Sequence, residues 1–122
     1  MAQRILVVDD DPDILALEEK VLTREGYEVT VAQSGPEALQ LIEQEEFDLV
    51  LLDIMMPGMD GYEVSRTLRQ GKRQSHLPVV FVTARDDSAS MREGFSSGGT
   101  VFLSKPFTAI QLARLVRSLI PG

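Results

Sequence analysis

Residues 7 to 13 read VVDDDPD, so a short apolar run meets three consecutive aspartates, Asp9, Asp10 and Asp11. Adjacent carboxylates repel, and each resists ionisation beside the others. A further acid, Asp53, closes the apolar run DLVLLD. Thr83 ends PVVFVT, and Lys105 follows TVFLS. With no cysteine and a single histidine in the chain, clustered carboxylates suit a hard cation held by a few oxygens and several waters, such as Mg²⁺. A carboxylate beside such an ion is a competent nucleophile toward phosphorus. A lysine neutralises a phosphoryl oxygen as a point charge, and a threonine hydroxyl can hydrogen-bond another. Phosphoryl transfer asks mostly for positioning and charge stabilisation, and this set of side chains supplies both.

The elements between these residues must bring them together. The apolar runs at 4–8, 27–32, 48–53, 78–84 and 100–104 read as strands, the inner ones apolar throughout. Between them lie helical patterns at 12–26, 34–46, 61–71 and 86–98, and a last one at 108–120. In the first of these, Ile14, Leu17 and Val21 are expected on the inward stripe. In the last, the stripe is Leu112, Leu115, Val116 and Leu119. Strict alternation predicts an α/β fold with a parallel sheet and helices on both faces. Ligands of such sheets bind beyond the carboxyl ends of the strands. Asp9, Asp10 and Asp11, Asp53, Thr83 and Lys105 all fall there. Singly, each is an ordinary turn former, cap or surface residue; their joint placement makes coincidence a poor account. Asp11 stands apart, because it precedes Pro12 and so reads as the cap of the first helix, with Asp13 in its first turn.

The totals bound the rest. A chain of 122 residues, 43% of them hydrophobic, suffices for one domain with its own core, expected to span 1–122. A net charge of −7 disfavours nonspecific nucleic-acid binding, which needs a cationic surface. No apolar run approaches a bilayer span, and with no cysteine the expected location is the cytoplasm. The basic stretch 69–76, including His76, reads as a solvated loop.

At ILVVDDDP, DLVLLDIMMPGMDGYEV, PVVFVTA and FLSKPF, the sequence resembles the receiver domain of two-component response regulators. The resemblance covers essentially the whole chain. It implies a flavodoxin-like sheet of order 2-1-3-4-5 and a phosphoacceptor role for Asp53, charged from the phosphohistidine of a sensor histidine kinase or from a phosphotransfer protein. It further implies Mg²⁺ (or Mn²⁺) held by Asp9, Asp10, Asp53 and the backbone carbonyl of Met55. Lys105 would pair with the phosphoryl group, Thr83 would turn inward to it, and Phe102 would follow as a switch aromatic. The Lys105–Pro106 bond is expected to be cis. Phosphorylation would shift the 83–106 face between two packings read by a downstream protein or a fused output domain, without turnover of an external substrate.

Some positions refine the resemblance. Thr100 and Val101 stand where many DNA-binding relatives carry an acidic pair, so a charged dimer contact is not expected there. Serines and glycines across 88–99 make the fourth helix weak and easily remodelled. Met55 and Arg85, each two positions beyond a site residue, would narrow the mouth against an attacking water and slow self-dephosphorylation. The chain ends soon after its last helix, as a free-standing regulator or as a piece of a longer protein. Two rival readings are a receiver that only binds partners and a phosphatase of the haloacid dehalogenase type. The second matches Asp9-x-Asp11, but its pattern continues Asp-x-Thr, and here Asp13 is followed by Ile14 and then Leu15.

Overall fold

Five short apolar runs become five strands because β-branched residues fit a pleated surface buried on both sides. A computed structural model of the chain describes residues 2–84 and 101–120. The strands are β1 (Arg4–Val8), β2 (Glu28–Ala32), β3 (Leu49–Asp53), β4 (Val79–Thr83) and β5 (Val101–Ser104). The helices are α1 (Pro12–Arg24), α2 (Gly35–Gln44), α3 (Gly61–Gln70) and α4 (Ala109–Leu119). All strand pairs are parallel, in the order β2-β1-β3-β4-β5. The chain thus runs outward from β1 to β2, then returns past β1 to β3, and the winding reverses between these two strands.

The period-2 alternation of the strands divides the interior in two. Leu6, Val8, Val50, Leu52, Val79 and Phe81 face α2 and α3. Ile5, Val7, Leu49, Leu51, Val80 and Val82 face α1 and α4. Register then levels the strand ends. Val8 lies opposite Leu52, Asp53 opposite Val82, and Thr83 opposite Ser104. The residues just beyond β1, β3, β4 and β5 therefore share one edge.

Each of the four described helices begins on a side-chain cap. Asp11 caps α1, Ser34 caps α2, Asp60 caps α3, and Thr108 forms a reciprocal capping box with Gln111 on α4. Asp11 accepts from the Asp13 N–H at 2.9 Å with Pro12 following, as its place in the sequence predicts. The inward stripe of α1 differs from expectation. Leu15, Glu18, Val21 and Leu22 are buried, whereas Leu17 is 41% exposed. The expected weak helix at 86–98, Arg85 and Thr100 lie outside the described residues.

Candidate functional site

The loop after β1 supplies two acids in different settings. Asp9 is buried, and its Oδ1 accepts from the Asp11 N–H at 2.9 Å. Asp10 is exposed at the edge. β3 delivers Asp53, which is only 3% exposed. One carboxylate oxygen from each of Asp9, Asp10 and Asp53 can be chosen so that all three lie within 4.8 Å of one another. Lys105 approaches from beyond β5. Its Nζ donates to Asp9 Oδ2 at 3.1 Å and to Asp53 Oδ1 at 3.3 Å. Its backbone N–H donates to the Thr83 carbonyl at 2.8 Å, so the lysine and the buried threonine are tied to one backbone rung. The Lys105–Pro106 peptide is cis.

Electrostatics follow from this crowding. Burial, and next the charge of Asp9, push Asp53 up to about 6, although Lys105 and the Met55 N–H hydrogen bond work against the rise. Burial alone would lower Lys105, but the Asp9 hydrogen bond and the charge of Asp53 outweigh it and hold the ammonium above its usual range. Asp53 is therefore largely ionised at neutral pH, with an ammonium already beside it.

Beside Asp10 opens a groove of 540 Å³ lined by Ile54, Met55, Met56, Pro57, Asp60 and Tyr62. The Met55 side chain stands 59% exposed at its rim. Arg85, expected opposite, lies outside the described residues. On β5, half-buried Phe102 stacks at a tilt on Phe81, with ring centroids 5.4 Å apart, and Phe81 meets Tyr62 edge-on at 5.0 Å. His76 is exposed, as expected of a solvated loop.

Sequence reading passed over Glu18. It is 1% exposed on the inner face of α1, and its Oε2 finds no hydrogen-bond partner among the described residues. Burial and then the charge of Asp9 raise it to about 8. The available signal was its spacing: Glu18 lies three residues after Leu15 and four before Leu22, on the apolar stripe.

This edge, on this sheet order, is that of a response regulator receiver. The chain belongs to that family: the receiver-domain model matches residues 5–117. It is 45% identical over 119 residues to the response regulator PleD of Caulobacter vibrioides, covering 98% of this chain and 26% of that protein. The chain spans about a quarter to a half of the length of the curated relatives it matches. Among solved structures, the chemotaxis protein CheY4 of Vibrio cholerae superposes with a TM-score of 0.95 at 29% identity, covering 98% of this chain and all of that one. The receiver domain of the sensor histidine kinase PA1611 from Pseudomonas aeruginosa, solved with a magnesium ion in its active-site cleft, superposes at 0.90 and 29% identity over the full length of both chains. No helix among the described residues is long and apolar enough to cross a membrane.

Proposed function

We propose that the chain is a single phosphoacceptor domain whose Asp53 takes a phosphoryl group from a phosphohistidine of a sensor kinase or phosphotransfer protein. The observation that carries this reading is one buried carboxylate, Asp53, lying between two further acids and an ammonium. In the step, an Asp53 oxygen forms the new O–P bond as the N–P bond of the donor breaks, and the imidazole leaves with the electron pair. Lys105 pairs with one phosphoryl oxygen, and the Thr83 hydroxyl turns to another.

The donor set fits a hard divalent cation, Mg²⁺ or Mn²⁺: three carboxylates converge, the chain has no cysteine, and two of the acids are buried with one ammonium between them. Asp9, Asp10, Asp53 and the Met55 carbonyl would hold it. When bound, the ion neutralises charge on the phosphoryl oxygens. The magnesium ion in the PA1611 receiver supports this assignment.

A phosphoryl group on Asp53 replaces the carboxylate charge that Lys105 now shares with Asp9 by a larger negative charge on the phosphoryl oxygens, and Lys105 follows it. The rung joining Lys105 to Thr83 carries that change to the β4 and β5 ends, where Phe102 follows. A downstream protein or fused output domain reads the altered face. The domain modifies itself once per cycle and turns over no external substrate, and a cytoplasmic location fits such a role.

The test is intact mass after incubation with acetyl phosphate and Mg²⁺. The parent should gain one phosphoryl group and Asp53→Ala none; no gain in the parent would leave a binding-only receiver as the better account.

A further inference from the structure

Glu18 is a buried acid for which phosphoacceptor chemistry provides no role. Buried polar groups nearly always have partners, so an orphaned oxygen asks in which arrangement it is satisfied. The charged groups that act on it are Asp9, Lys105 and Asp53, from beyond or at the ends of β1, β5 and β3. From α4, which packs on α1, the cation Arg117 is held by Glu25 at the far end of α1. Of the three groups at the strand ends, Lys105 alone can donate a hydrogen bond.

Lys105 already borders α1. It lines an apolar groove with Ile14, Leu17, Ala84, Pro106 and Phe107. Ile14 lies one turn before Glu18 on α1, and Leu17 is its immediate neighbour. Lys105 thus borders the same groove as the turn of α1 that leads into Glu18.

We propose that Glu18 is a positioning residue for Lys105: a second, buried seat that takes the ammonium when a divalent cation claims Asp9 and Asp53. This rests on the cation reading above. The Lys105 ammonium now lies 3.1 Å from Asp9 and 3.3 Å from Asp53. A cation bound to those carboxylates repels it. A flexible four-carbon stem lets the ammonium shift while staying near the site. In the resting arrangement burial keeps Glu18 protonated, so no unpaired charge is buried there. An arriving ammonium favours the ionised form and satisfies the orphan oxygen. Lys105 then waits at the rim of the site instead of competing with the ion or swinging into solvent.

Mg²⁺ affinity of the whole chain, measured by calorimetry at neutral pH, tests this in a double-mutant cycle of Glu18→Leu and Lys105→Met. Both replacements keep apolar volume where a side chain or its stem is packed. Glu18→Leu alone should weaken Mg²⁺ binding at least about twofold, the lower end for groups in one charged network. In the Lys105→Met background, Glu18→Leu should change nothing. Equal affinities of the parent and Glu18→Leu overturn the proposal. So does a Glu18→Leu effect that persists without Lys105, because the carboxyl then acts on the ion directly. A parent that binds no Mg²⁺ overturns this proposal and the cation reading together; binding with a flat cycle removes the lysine seat alone.

Discussion

Glu18→Leu should stabilise the cation-free protein at pH 8 by on the order of 4 kcal/mol, and by progressively less as the pH falls toward 4. The carboxyl is raised from 4.5 to about 8 by burial, then by the charge of Asp9. Between those two values the folded state holds a proton that the unfolded chain has released. A folded state that binds the extra proton loses stability as the pH rises, so the penalty grows from about pH 4.5 and levels off near 8. Leucine titrates nowhere and fills a position flanked by Leu15, Val21 and Leu22. Asp53, raised to about 6, gives the parent a second loss of the same sign. It is present in both proteins and largely cancels in the difference. Urea unfolding of both proteins with chelator, from pH 4.5 to 8.5, measures the gap. A gap that stays constant over that range would mean that Glu18 does not titrate as its burial requires.

Gly61→Ala should destabilise the fold by about 1–3 kcal/mol, against the gain that alanine ordinarily brings to a helix. Gly61 opens α3 directly after the cap Asp60. A Cβ there would lie 2.4 Å from the carbonyl oxygen of Asp53 and 3.0 Å from Cα of Ile54. Both are backbone atoms, so no side chain can swing aside. The Gly61 N–H also donates to the Ile54 carbonyl at 3.1 Å, which fixes the helix start against the end of β3. Relief must come from moving that strand end, and Asp53 with it. Thermal melting should therefore fall, and phosphoryl uptake from acetyl phosphate should fall with it. A variant that melts at or above the parent would show that α3 yields more easily than the strand.

These two positions also mark how far the sequence could be read. Strand ends were legible because fully apolar runs stop at charged or turn residues, and that placed Asp9, Asp10, Asp53, Thr83 and Lys105 on one edge. The role of Asp11 was legible because Pro12 fixes a helix start. The stripe of α1 was not. Glu18 occupies an apolar position, so hydrophobic spacing alone points one residue away, to Ile14 and Leu17, and only packing against the sheet shows which face turns inward. Gly61 read as a turn residue. Its closeness to Asp53 depends on where α3 docks, which no local pattern encodes. That Lys105 spans Asp9 and Asp53 likewise depends on the pairing of β1 with β3 and of β4 with β5.

The row of rings from Tyr62 through Phe81 to Phe102 has an optical consequence. The chain has no tryptophan and two tyrosines, so its near-ultraviolet dichroism is dominated by two sites. Tyr27 is locked through its hydroxyl to the Ile120 carbonyl at 2.8 Å, at the end of the chain's last helix. Tyr62 is buried one ring away from Phe102, across a Phe81 that is itself fully enclosed. Movement of Phe102 alters the surroundings of one chromophore and leaves the other in place. The domain thus carries an intrinsic reporter of its β5 face together with an internal reference, and neither needs a label.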